Sequence, residues 1–187
     1  MKGFKQAIEQ LSFLWFDFKL ALGKNRWRFP YVLLSRSFIG IFTYRTERAL
    51  FLLFGKPYAV FRILLLPFLL ALYWYSNCEI HYHAIIGKGI KILHPSLGVV
   101  VSGKAKIGNH LTMVGGNCIG ITASKKMTPF VLGNNIEMGV NSTIIGPLQL
   151  GNDIKIGANA CVIHSYTEDT LVLVGIPAIP LNGDRTH

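Results

Sequence analysis

Beyond residue 78 an aliphatic side chain returns every six residues, with mostly small or polar residues between. The longest run is Leu132, Met138, Ile144, Leu150, Ile156 and Val162. An earlier one gives Ile80, Ile86 and Ile92, then Val101, Ile107, Met113 and Ile119. A helix of 3.6 residues per turn would scatter these positions around its axis. A period of six fits a parallel β-helix, in which each unit forms one flat face and a corner and the aliphatic residue points inward. The fifth place of each unit is also small or apolar (Ile136, Ser142, Leu148, Ile154, Ala160). Gly108-Asn109, Gly133-Asn134-Asn135 and Gly151-Asn152-Asp153 are suited to the left-handed backbone that tight corners need.

Residues 1–76 carry a different rhythm. Phe4, Ile8, Leu11, Leu14, Trp15, Phe18 and Leu22 have helical spacing, and Gly23 can close that helix. A basic, aromatic break follows (residues 24–30), then an expected helix from about Tyr31 to Leu53 and another from about Tyr58 to Tyr75. The fold class expected is mainly β: a β-helix over 77–181 behind an N-terminal α-helical region (1–76), with a disordered tail at 182–187.

The hexads break twice. Between Ile92 and Val101 three residues are extra, in the string LHPSLGVVV. Between Ile119 and Leu132 one residue is extra, and the loop 122–129 lies there. Such faults are where a regular solenoid can carry chemistry.

Charge is uneven. Of the net +10, eleven basic and three acidic side chains precede Cys78, so the helical region supplies most of it. An anionic partner is implied there, either nucleic acid or a membrane surface. Trp27, Phe51, Phe54, Phe61 and Trp74 interleave with those cations, which favours an anionic membrane surface and disfavours nucleic acid. The apolar stretch Ile63–Tyr75 is short for a bilayer core, which takes about 20 residues, and is expected as an interfacial or buried helix. No secretory signal is visible, and the three cysteines lack metal-type spacing, in keeping with a reduced cytoplasmic protein. His81 and His83 alternate in a strand with no third ligand in view, so no metal is expected.

The segment CEIHYHAIIGKGIKILHPSLGVVVSGKAKIGNHLTM and the ending VGIPA resemble the hexapeptide-repeat acyltransferases, which are left-handed parallel β-helices. The chain is similar to serine O-acetyltransferases, and more so to colanic-acid and capsular-polysaccharide O-acetyltransferases. The resemblance implies an acetyl-CoA-dependent O-acetyltransferase acting as a homotrimer. It places the catalytic histidine at His94 and its carboxylate partner at Glu79, fifteen residues earlier, nearly one full coil away. A histidine so placed can take a hydroxyl proton as the oxygen attacks the thioester, and a carboxylate can fix its tautomer. Backbone N–H groups near Gly115 and Gly116 are expected to meet the oxyanion.

The resemblance also places acetyl-CoA along the outside of the coils. The matching residues are Gly139, Val140, Lys155, Gly157 and Ala158, with Gly175 and Pro177 in the ending. Two departures matter. Serine enzymes carry Asp-Arg-His-Pro in the second loop, whereas Lys126-Met127-Thr128-Pro129 stands here, which points away from serine. Ile179 replaces their basic residue after Pro-Ala. A glycan or lipid-linked saccharide acceptor is therefore expected, met by a peripheral protein at the cytoplasmic face of a bacterial inner membrane. A serine-type enzyme and a non-catalytic membrane-bound trimeric scaffold are the alternatives.

Overall fold

The computed structural model describes residues 2–122 and 129–181. Three parallel sheets form the faces of a β-helix. The first stacks β1 (Cys78–Ile80), β4 (Val99–Val101), β7 (Asn117–Ile121), β10 (Thr143–Gly146) and β13 (Cys161–Val162). The second holds β2 (Ile85–Ile86), β5 (Lys106–Ile107), β8 (Val131–Leu132) and β11 (Gln149–Leu150). The third holds β3 (Lys91–Ile92), β6 (Thr112–Met113), β9 (Glu137–Met138), β12 (Lys155–Ile156) and β14 (Val172–Val174), closed by antiparallel β15 (Ile179–Pro180).

The hexad register explains this architecture residue by residue. All thirteen aliphatic positions of the two runs are at most 5% exposed. The fifth-place residues Ile136, Ser142, Leu148, Ile154 and Ala160 are equally buried. Each coil thus contributes two inward side chains per face, and coils share one continuous core. One corner is tied by an amide ladder: Asn134 Oδ1 accepts from Asn109 N at 2.8 Å, Asn152 Oδ1 from Asn134 N at 2.9 Å, and Asp169 Oδ1 from Asn152 N at 2.6 Å.

The open end of the solenoid needs a cap, and the helices supply it: α1 (Lys2–Leu22), α2 (Phe29–Leu34), α3 (Arg36–Phe54) and α4 (Tyr58–Ser76). Ile41 and Tyr44 of α3 enter the β-helix core. The Tyr44 hydroxyl donates to Ala84 O at 3.0 Å and accepts from Ile86 N at 3.2 Å. Arg45 donates to Asp17 of α1 and to Ile86 O and Gly87 O of the first coil. Asp17 in turn accepts from Gly89 N and Ile90 N, so helices and coil are joined through a buried, hydrogen-bonded ion pair.

One helical expectation is corrected. The single helix from Tyr31 to Leu53 is two helices, because Ser35 is extended (φ −69°, ψ 139°) and its side chain caps α3 by accepting from Phe38 N. The apolar stripe of α1 is divided: Phe4, Ile8, Leu11 and Trp15 are at least half exposed, Phe18 packs with Val32 and Phe38, and polar Gln10 and Asp17 face inward to Arg45. The last helix has its expected bounds to within a residue, and its 19 residues are long and apolar enough to cross a membrane and mostly exposed. It is anchored sideways, since Glu47 of α3 accepts from Tyr58, Arg62 and Tyr73 of α4. The tail, 182–187, lies outside the described residues.

Candidate active site

The three extra residues after Ile92 let the chain leave the coil in a protruding corner. A short 3-10 turn, Pro95–Leu97, follows His94, and Gly98 (φ 85°) returns the chain to β4. His94 is exposed at the start of that corner, its N–H donating to Val114 O on the next coil at 2.7 Å. The corner is held from below, where Asn77 Nδ2 donates to Ser96 O at 3.1 Å. Gly115 (φ 143°) packs against the His94 carbonyl so closely that any side chain there would collide with it.

Glu79 projects outward from β1. No hydrogen bond or ion pair within 4.0 Å joins it to His94. The two line separate grooves. His94 shares one of about 550 Å³ with Tyr31, Arg36, Ser37, Tyr75 and Ser96. Glu79 shares another, about 670 Å³, with Arg62, Tyr73 and Trp74 of α4, His81 and Val100.

The oxyanion expectation is overturned. Gly115 N donates to Asn117 Oδ1 at 2.8 Å and Gly116 N to Gly98 O at 2.7 Å, so neither N–H is free to meet substrate. Sequence reasoning missed Asn117. It occupies the fifth, inward place of its hexad, 2% exposed, and its Nδ2 reaches Gly139 O at 2.7 Å and Ser142 Oγ at 3.1 Å. A polar residue where the repeat wants an apolar one is the signal that could have found it. It holds the corner against which His94 rests.

The positions assigned to acetyl-CoA fall mostly on one edge, the corner between the third and first sheets, above His94. Gly139 and Val140 follow β9, Gly157 and Ala158 follow β12, and Gly175 and Pro177 follow β14. Coils repeat at about 4.8 Å, so this edge climbs roughly 19 Å from the coil of His94 to that of Gly175. The glycines also serve the stacking itself. A Cβ at Gly139 would stand 2.7 Å from Ala158 N, and one at Gly157 3.0 Å from Val174 Cγ1. Lys155 lies off this edge on β12, its Nζ 3.8 Å from Glu137 Oε2, an exposed pair that water screens.

The rings of His81 and His83 sit 5.0 Å apart in an aromatic cluster with Tyr82 and Phe51, and His81 Nδ1 accepts from His83 N at 3.1 Å. Burial, with the charges of His83 and Arg62 behind it, holds the His81 imidazole below its ordinary range. Thr128 and Lys125–Lys126 lie outside the described residues.

Hexad coils, a helical cap and a histidine in an out-turned corner give this chain a parallel β-helix fold similar to that of serine acetyltransferases. Solved structures similar to it include serine acetyltransferases. The Neisseria gonorrhoeae enzyme superposes with a TM-score of 0.76 at 22% identity, over 98% of this chain and 70% of that one. The soybean apoenzyme gives 0.71 at 26% identity, over 95% and 71%. A serine acetyltransferase solved in complex with CoA gives 0.72 at 21% identity, over 96% and 72%. No family model matches the chain, and no curated protein sequence does.

Proposed function

We propose that the protein is a homotrimeric, acetyl-CoA-dependent O-acetyltransferase that acetylates a hydroxyl of a capsule- or exopolysaccharide-type glycan precursor. The groove beside His94 carries this choice of acceptor. Its lining offers hydroxyls, two tyrosine rings and a guanidinium, and no carboxylate. An amino-acid acceptor brings an ammonium group, which is costly to desolvate without a counter-charge. A sugar brings hydroxyls and an apolar ring face, which serine hydroxyls and tyrosine rings suit.

His94 takes the proton of the acceptor hydroxyl as its oxygen attacks the thioester carbonyl. Collapse of the tetrahedral intermediate breaks the C–S bond, and the imidazolium returns the proton to the departing CoA thiolate. Glu79 is the carboxylate assigned to orient the imidazole, and to pair with it the two side chains must turn out of their separate grooves. The pantetheine arm lies along the edge from Gly139 to Pro177, and Lys155, which stands off that edge beside Glu137, must swing from it to reach the phosphates.

Peripheral attachment at the cytoplasmic face of a bacterial inner membrane completes the reading. It is supported by the outward part of the α1 stripe and by α4, where Leu64 is 78% and Trp74 91% exposed. The cations of the helical region complement anionic lipid. Trp15→Glu combined with Leu64→Glu should abolish sedimentation with anionic vesicles, and unchanged sedimentation refutes the attachment. For the acceptor, thiol release from acetyl-CoA should follow addition of an acidic or neutral capsular oligosaccharide and not of free serine. Release with serine alone refutes the glycan reading.

A further inference from the structure

The groove beside His94 contains a cation that the reaction itself does not require. Arg36 opens α3 at the elbow with α2, and its Nε donates to Tyr75 O at 2.8 Å. The Tyr75 hydroxyl donates to Leu34 O at 2.7 Å, so the end of α4 is clamped to the same elbow. The guanidinium is thereby pinned on its inner edge, while its two terminal nitrogens make no hydrogen bond among the described residues. It has no carboxylate partner there either, in contrast to Arg45 and Arg62. No acidic residue occurs in the sequence between Asp17 and Glu47, and both of these are buried against other partners.

A guanidinium fixed on one edge presents a planar fork of N–H donors on the other, matched to the two oxygens of a carboxylate or phosphate. His94 lines the same groove. We infer that Arg36 is a specificity-determining residue that grips an oxyanion group of the acceptor and so sets which hydroxyl lies against His94. The inference rests on the O-acetyltransferase reading and deepens it, making the acceptor an anionic saccharide. The oxyanion is either a uronate carboxylate or a sugar-linked phosphate. Both present the same chemistry to the fork.

The test uses the full chain with acetyl-CoA and three acceptors: an oligosaccharide containing hexuronate, its carboxyl-reduced counterpart, and a neutral oligosaccharide carrying a phosphate at its reducing end. Thiol release should be faster on one charged acceptor than on the neutral one by roughly 10- to 100-fold in kcat/KM. The charged acceptor preferred identifies the oxyanion. Arg36→Gln should erase that preference, Arg36→Lys should keep part of it, and added salt should reduce it in the wild type. Equal rates on charged and neutral acceptors in the wild type overturn the inference and leave the glycan reading standing. So does a preference that survives in Arg36→Gln. Transfer to none of the three overturns the glycan reading and this inference with it.

Discussion

Arg45 Nε stands 3.0 Å from Asp17 Oδ2, with both side chains wholly buried, and so joins α1 to α3 and both to the first coil. Two ions out of water are tolerated here because every nitrogen of the guanidinium and both carboxylate oxygens have a partner, supplied besides each other by Gln10, Ile86 O, Gly87 O and two backbone N–H groups. Removing one partner strands the other. Asp17→Ala or Arg45→Met should each cost roughly 3–5 kcal/mol of unfolding free energy by denaturant titration. A loss under 1 kcal/mol would show that the helical cap is held by its apolar contacts instead.

Asn117 is the buried amide that ties the Gly115 corner to the coil carrying Gly139. Asn117→Ala leaves the Gly115 N–H without its acceptor inside the solenoid, while Gly139 O keeps Ser142 Oγ and N, at a cost of about 1–3 kcal/mol. His94 rests on that corner, so kcat should fall as well. A variant that loses stability with kcat unchanged would separate the corner from catalysis.

His81 makes stability depend on pH. Its folded imidazole is held below the ordinary value of 6.5, chiefly by burial. On acidification the unfolded chain therefore takes up this proton first. The contribution to stability is present above about pH 6.5 and is lost as pH falls through the lower folded value. Denaturant midpoints at pH 7.5 and 5.0 should differ less in His81→Asn than in the wild type, and equal differences would contradict the assignment.

Cys78 packs beneath α3, 2% exposed, and burial pushes its thiol up to about 12. The thiolate is the reactive form. Iodoacetamide at pH 8 should leave Cys78 unmodified in the folded protein and alkylate it only after denaturation, as peptide mass spectrometry would show. Alkylation at native-state rates comparable with a free thiol would mean that α3 detaches readily from β1.

The β-helix was legible because its information is local and periodic. Each hexad states its own inward residue, and stacking leaves little to decide beyond the register. The histidine corner was legible for the same reason, since an insertion in a strict repeat has to leave the coil. The helical region was not readable in this way. The stripe of α1 has the spacing of a packing face, yet Gln10 and Asp17 turn inward because Arg45, 28 residues beyond Asp17, waits there. Gly115 and Gly116 looked like free donors because only the stacked structure shows their N–H groups committed to Asn117 and Gly98. Arg36 gave no motif at all, because its place beside His94 arises from the elbow at Ser35 and the clamp at Tyr75.

Proton abstraction by His94 from a glycan hydroxyl is tested most directly by thiol release from acetyl-CoA with a capsular oligosaccharide, comparing the wild type with His94→Ala. Acceptor-dependent release is expected in the wild type, falling by about 10²–10⁴-fold in the variant while its unfolding midpoint stays within a few tenths of a molar in denaturant. Glycan-dependent release at an undiminished rate in a folded His94→Ala protein would contradict it.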